Sequence, residues 1–349
     1  MVEIPKHLNQ HDRASRLPLV TERGTVTLAE PMDRSRNRRV LDAIRDRLSD
    51  VGRAGLLREA KRGSDYDWGT VWTELSDAGV SDGKRAAIET LAERFERAYP
   101  SLLRLRVRPD GKVDFSPGQY VTLRARETPR AYSIASSPTE EHLEFAIRRV
   151  PGGRLTSDLF THVREGEDVV VRGPNGHMVL DEPSKRDVVF LSTGTGVAPF
   201  KSMIDYLFER GWDEYGGTKR DVWLFQGCAW ADDVPYYHEF LELDRVLDNF
   251  HFVPTLTREP LLSEWDGETD YVQHVFLQYL RDDALADADL PAGLADSAGA
   301  SPDSDRQARI DPANVEVYAC GITAMVETLV RAARAAGVPE RHMQYEGFG

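Results

Sequence analysis

The sequence predicts an α+β chain of two domains, an antiparallel six-stranded β-barrel followed by a doubly wound parallel α/β sheet. Three observations carry the prediction. From Leu102 the apolar residues alternate in short runs separated by turn residues, as the half-buried strands of a small barrel require. After Pro183 the runs become continuous, as in Val188–Leu191, which suits a strand covered on both faces. Each such run then feeds a turn and an amphipathic helix, and four of these units follow one another.

Length and composition agree. A chain of 349 residues suits about two domains, and 41% hydrophobic with 29% charged residues is a soluble, globular composition. No run of ~18 apolar residues is present, so no membrane insertion is expected. Met1–Gln10 is polar and broken by Pro5, unlike a secretory signal. Two cysteines, Cys228 and Cys320, cannot build a disulfide framework, a four-thiolate metal site or an iron–sulfur cluster. A cytoplasmic protein with no metal is the expectation. A net charge of −14 opposes nucleic-acid and anionic-membrane binding. The Arg-over-Lys bias and abundant Asp form a halophilic-type composition, equally expected of an acidic protein from a GC-rich genome.

Taken in order, residues 1–22 lack periodicity and read as an N-terminal arm. Gly24–Ala29 alternates as a short strand ending near Pro31. Residues 33–99 change to helical spacing, with Val40, Leu41, Ile44 and Leu48 on one face and a helix over Ser81–Tyr99. They read as a helical insert. Its segment 34–62 holds ten basic residues and far fewer acidic ones. That pattern fits a solvated face with i,i+4 pairs or a docking patch for an acidic partner.

Strands are then expected at Leu103–Val107, Tyr120–Leu123, Ala131–Ala135, Leu143–Arg148 and Asp168–Val171. One helix interrupts them at Thr156–Val163, capped by Thr156 or Ser157. In the second domain, strands at Val188–Leu191, Val222–Gln226, Phe250–Thr255 and Val315–Cys320 each precede a helix, and Met343–Tyr345 closes the sheet. The Ala/Asp/Pro/Ser-rich stretch 283–314 reads as a flexible acidic loop.

Four stretches carry chemistry. Arg130-Ala131-Tyr132-Ser133 offers a fixed cation, a flat aromatic and a hydroxyl, which suits a phosphorylated ring system such as a flavin or, equally, an ordinary edge strand. Gly152-Gly153 before a helix start makes a backbone anion site or an ordinary capped turn. Thr193-Gly194-Thr195-Gly196 follows the first strand of the sheet, where a dinucleotide pyrophosphate would sit. It lacks the Lys of a phosphate-cradling GxxxxGK[ST] loop, so ATP hydrolysis is not expected. Cys320-Gly321 ends another strand of the sheet, as a small group beside a ring or as core.

In this order, Arg130–Ser133, Gly153–Thr156, Gly194–Pro199, Cys320-Gly321 and Glu346-Gly347-Phe348 resemble the ferredoxin–NADP reductase family, from about Leu102 to the C-terminus. The resemblance implies an FAD-binding barrel domain over 23–182, with the insert 33–99, and an NAD(P)-binding domain over 183–349. It implies that Arg130 holds the FAD diphosphate, Tyr132 stacks on the isoalloxazine and Ser133 bonds near its N5. It also assigns Arg148, Gly153, Arg154, Leu155 and Thr156 to FAD, and Phe348 to cover the ring. Thr193, Gly194, Thr195 and Gly196, with Cys320 and Gly321, border the nicotinamide nucleotide. Ser133, Cys320 and Glu346 are the catalytic candidates, Glu346 as a proton-relay carboxylate. An extra Gly347 between Glu346 and Phe348 departs from the family pattern.

Thr257-Arg258-Glu259 and Tyr271-Val272-Gln273 resemble the segments that grip a 2′-phosphate, so NADP(H) is favoured over NAD(H). Thr269 and Ala229 depart from that pattern, standing where basic residues are common. The implied activity is hydride transfer between NADP(H) and FAD, with single electrons passing to or from a ferredoxin or flavodoxin. The alternatives are an NAD(P)H reductase component of an oxygenase system and a non-catalytic flavin-binding partner protein.

Overall fold

The computed structural model describes residues 17–348 apart from 64, 127, 282, 286, 287, 289, 291, 292, 296, 298, 299, 305, 307 and 308. The chain forms two compact units, one of residues up to Asp33, Leu102–Thr257 and Asp266 onward, the other of Arg34–Ser101 with Arg258–Trp265.

In the first unit, period-two alternation builds six antiparallel strands: β1 (Val20–Pro31), β2 (Leu102–Pro109), β3 (Tyr120–Ala125), β4 (Thr128–Ser133), β5 (Leu143–Arg148) and β6 (Asp168–Asn175). Their order is β4-β3-β6-β1-β2-β5. The sheet nearly closes, because the Ala135 N–H just past β4 donates to the Glu144 carbonyl of β5 at 2.8 Å. Leu105, Val121, Leu123, Phe145, Ile147 and Val171 fill the interior, while Arg104 and Arg106 alternate outward on β2.

Two boundaries differ from expectation. Of the expected arm, residues 1–16 lie outside the described residues, and Val20–Glu22 already belong to β1. Thr21 and Arg23 hide that strand in the sequence because their polar side chains face outward while their backbones pair with Arg172 and Val170. The barrel helix starts at Arg154 with Gly153 as N-cap, two residues before the expected start. Thr156 does not cap it. Its Oγ1 instead accepts the Val150 N–H at 3.2 Å and closes the preceding turn.

The parallel sheet holds β7 (Asp187–Thr193), β8 (Val222–Cys228), β9 (Phe250–Leu256), β10 (Val315–Ile322) and β11 (Met343–Phe348), in the order β9-β8-β7-β10-β11. Among its helices are one at Ala198–Glu209, with a proline in its first turn, and one at Thr323–Ala335. One face packs Leu191, Phe225, Val317 and Leu329. On the other, Phe190 meets Phe200 at 5.0 Å and Tyr318 at 5.3 Å. Of the described residues in 283–314, Leu294 and Ile310 are buried in the first of these cores.

Barrel and sheet are joined by directed polar contacts. Ser202 Oγ donates to the Ser136 carbonyl at 2.7 Å, Ser137 Oγ to Glu209 at 2.6 Å, and Arg104 pairs with Glu239.

In the second unit, α1 (Asn37–Asp50) buries Val40, Ile44 and Leu48 and packs on α3 (Asp82–Glu96) through Ile88 and Leu91. Between them lies α2 (Trp68–Asp77), which the sequence reading left unassigned. Asp67 caps it, accepting the Thr70 N–H at 3.2 Å and the Thr70 hydroxyl at 2.8 Å. Arg36 donates through both Nη atoms to Glu259, at 2.8 and 2.7 Å, and Arg39 Nε donates to the Leu262 carbonyl at 3.0 Å. No described helix is long and apolar enough to cross a membrane.

Candidate active site

The parallel sheet reverses its order at β7 and β10: the chain leaves β7 toward β8 on one side, while β10 pairs on the other. The crevice beyond the carboxyl ends of two such strands is where open α/β sheets take ligands. Thr193 ends β7, and a 3₁₀ turn over Gly194–Val197 leads into the next helix. That turn lies against β10 so closely that a Cβ on Gly196 would stand 2.5 Å from the Cys320 carbonyl oxygen. On β10, a Cβ at Gly321 would meet Thr193 Oγ1 at 2.5 Å.

The barrel contributes the facing wall. A cleft of about 560 Å³ is lined by Tyr132, Arg148 and Thr156 from the barrel and by Thr193, Gly194 and Thr195 from the turn. Thr257, Tyr271 and Phe348 complete the expected residues that line it. Tyr132 is half-buried against Phe145, with ring centroids 6.4 Å apart, and burial pushes its phenol up to about 12, against the pull of Arg130. It therefore stays neutral and presents a flat face.

The remaining expected residues are not among those that line this cleft. Arg130 is exposed, with Nη1 donating to the Pro129 carbonyl at 2.9 Å. Ser133 is half-buried and paired in register with Tyr120. Leu155 is buried in the barrel core. Gly153 precedes the helix whose first N–H groups have no partner within it; the Arg154 side chain lies outside what the structure describes. Cys320 is buried and opposite Glu346 in the β10–β11 ladder. Burial, and then the Glu346 charge, hold its thiol well above the ordinary range. Glu346 is pushed up to about 7 by burial, and burial, then the Glu346 charge, raises the Tyr120 phenol. Arg258 follows Thr257 directly in the chain and belongs to the second unit, where it faces Glu93 at 3.8 Å.

Several cleft residues escaped the sequence reading. Asp233 is 4% exposed and receives Arg148 Nη1 at 3.0 Å, and its carbonyl lies 3.5 Å from Cys228 Sγ. Burial, then Asp233, pushes the Cys228 thiol up to about 12, so it is an inert lining group. Asp270 also lines the cleft and accepts the Tyr271 N–H at 2.7 Å. Cys228 could have been found, since it ends β8 at the ligand edge of the sheet; nothing local marks Asp233.

The residues fit two phosphorylated ligands. Among the described residues Thr193 Oγ1 is buried at the cleft without a hydrogen-bond partner, and buried hydroxyls are rarely left so. Gly196 and Gly321 let the turn and β10 pack closely at that corner, with Thr193 Oγ1 between them.

The sequence matches two family models, an oxidoreductase FAD-binding domain over residues 100–180 and an oxidoreductase NAD-binding domain over 190–331. It is 31% identical over 248 residues to ferredoxin–NADP reductase B of Sorangium cellulosum, covering 69% of this chain and 88% of that one. The chain belongs to the ferredoxin–NADP reductase family. Within the family it is also 28% identical over 249 residues to the reductase component of propane 2-monooxygenase from Mycolicibacterium goodii, covering 70% of this chain and 62% of that one. The match to the first four curated relatives spans 50% to 67% of their length. A crystal structure of a ferredoxin NADP+ reductase from Neisseria gonorrhoeae with bound FAD and NADP shares the fold, with a TM-score of 0.54 at 19% identity over 71% of this chain and 93% of that one. The barrel is thus the FAD-binding domain and the parallel sheet the NAD-binding domain of this reductase-family chain.

Proposed function

We propose that this chain is an FAD-dependent NADP(H) reductase that exchanges single electrons with a ferredoxin or flavodoxin. The observation that carries the proposal is the shared cleft, where a neutral, half-buried Tyr132 faces the Thr193–Thr195 turn with its unpaired hydroxyl. When bound, FAD supplies the chemistry that converts a two-electron hydride into two one-electron transfers. The chain supplies binding, orientation and proton control.

Tyr132 offers the stacking face, the N–H groups opening the Arg154–Thr161 helix offer an anion site, and the exposed Arg130 is assigned to the diphosphate. Arg148, committed to Asp233 on the sheet domain, holds the two walls in register. Thr193, Gly194 and Thr195 take the nucleotide's diphosphate end, and the buried Cys320 keeps the wall beside them small and uncharged. Ser133 is the flavin-side hydroxyl. Glu346 gains or loses a proton near neutral pH and serves as the proton reservoir beside Cys320 and Tyr120. Phe348, 42% exposed, shields the mouth from water.

Arg258 and Thr257 are assigned to the 2′-phosphate. Asp270 supports the opposite choice, since a carboxylate in the cleft favours a 2′-hydroxyl and hence NAD(H). The basic segment 34–62 is assigned to docking the acidic electron partner in the cytoplasm, and 23–182 and 183–349 are the cofactor domains.

A comparison of flavin reduction by NADPH and NADH in single turnover tests this. Protein reconstituted with FAD is expected to bleach on mixing, faster with NADPH. No bleaching with either nucleotide leaves a non-catalytic flavin protein. An oxygenase reductase component, suggested by the propane 2-monooxygenase relative, is separated by offering ferredoxin and an oxygenase as alternative oxidants.

A further inference from the structure

Asp270, Tyr271, Val272 and Gln273 form one wall of the cleft, at the end of a short stretch that returns beside β9. The backbone of that stretch is tied to the sheet edge. The Leu256 N–H donates to the Glu268 carbonyl at 2.9 Å, and Thr255 Oγ1 donates to the Asp270 carbonyl. Its side chains are tied to residues that come later in the chain. Glu268 is 2% exposed, and its carboxylate accepts the Tyr279 hydroxyl at 2.7 Å and the Asp303 and Ser304 N–H groups, each at 3.2 Å. Ser304 Oγ and the Tyr279 hydroxyl share a further bond at 2.5 Å. Tyr279 is itself fixed, fully buried with its ring 5.2 Å from that of Phe225. Past the wall, His274 Nδ1 shares a hydrogen bond with Ser297 Oγ at 2.5 Å and stands 3.7 Å from Asp270 Oδ2. Glu268, Ser297, Asp303 and Ser304 are not among the residues that line the cleft.

We infer that Glu268 and Ser297 are positioning residues for the nicotinamide nucleotide, holding the Asp270–Gln273 wall of its cleft from outside the lining. The inference rests on the proposed reading of that cleft as the nucleotide site. A carboxylate that accepts several hydrogen bonds is a stronger anchor than a neutral pair. Moving Glu268 away from Tyr279, Asp303 and Ser304 would strip a buried acceptor of its donors, which costs far more than losing a surface contact. Ser297 acts at the other end of the wall, through His274 beside Asp270. The wall therefore stands in place before a nucleotide arrives, and binding is spared the cost of ordering it.

The test is calorimetric titration of the purified, FAD-loaded full chain with NADP+, beside FAD binding to the flavin-free chain followed by fluorescence. Wild type is expected to bind both. Glu268→Gln should weaken NADP+ about three- to tenfold and leave FAD affinity unchanged. Ser297→Ala, a milder change that keeps the test open should Glu268→Gln fail to fold, should weaken NADP+ about two- to threefold. Ser297→Thr, which keeps the hydroxyl, should restore most of that loss. Reciprocity adds a readout that a purely structural role would not move: NADP+ should slow amide hydrogen exchange at Asp303 and Ser304, and FAD should not. Unchanged NADP+ affinity in both variants overturns the inference and leaves the nucleotide reading of the cleft standing. Equal weakening of NADP+ and FAD, with exchange at Asp303 and Ser304 indifferent to NADP+, marks a merely structural role and also overturns it. If wild type binds neither NADP+ nor NAD+, the nucleotide reading of the cleft itself falls, and the inference with it.

Discussion

Glu346 holds its proton in a range where most carboxyls have lost theirs. Burial lifts it from an ordinary 4.5 to about 7. Below about pH 4.5 the group is protonated in both folded and unfolded chains and costs nothing. As pH rises toward 7 the unfolded chain ionises first, and the fold loses stability up to about 3 kcal/mol. Glu346→Gln removes this cost. Chemical unfolding of both proteins in the same cofactor state should show the variant's advantage growing between pH 4.5 and 7 and flat above. An advantage independent of pH would sink the assignment. Cys320 sits opposite on the neighbouring strand, and ionised Glu346 is one reason its thiol stays protonated.

At the scale of elements, the Gly194–Val197 turn matters most, because it fixes how near the helix that follows can stand to β10. Gly196→Ala would drive a methyl to 2.5 Å from one backbone atom and 2.9 Å from the next. Backbone cannot yield as a flexible side chain can, so a loss of about 1–3 kcal/mol is expected. Nucleotide affinity should fall with it, while the FAD-binding side keeps its affinity. Equilibrium unfolding and 5′-ADP binding measure the two effects. This turn was legible in the sequence because a continuous apolar strand, two glycines and Pro199 mark it locally. Helix α2 was legible as well and was missed: Trp68, Val71, Trp72 and Leu75 stand at i, i+3, i+4 and i+7, with Val71 and Leu75 buried and Trp68 stacked on Trp72 at 5.7 Å. The early start of the Arg154–Thr161 helix was hidden, since Thr156 looked like a cap and is used to brace a turn. Arg36–Glu259 joins residues 223 apart, and no window of sequence displays such a pairing.

For the whole molecule, the insert's attachment has a thermodynamic consequence. Its own apolar contacts, Ile44 and Leu48 on α1 with Ile88 and Leu91 on α3, lie within the second unit. Calorimetry is therefore expected to resolve two heat-absorption transitions, and Arg36→Ala should lower one of them while sparing the other. A single cooperative peak that shifts as a whole would count against this. The cofactor cleft was more legible than the insert's grip, because the ordered motifs of barrel and sheet are local and the grip is not.

The place where the insert leaves and rejoins the barrel also makes it separable. β1 and β2 are antiparallel neighbours, paired from Gly24–Pro109 to Pro31–Leu103, and the Met32 N–H donates to the Leu102 carbonyl at 2.9 Å. The two ends of the insert are thus already held at the spacing of a hairpin. A tight turn is all that the ladder needs to close at that point, so residues 33–101 are a splice module rather than a link in the barrel's pairing. Exchanging that module for a short turn should leave the strand register of the barrel intact and yield a minimal two-domain chain for comparison.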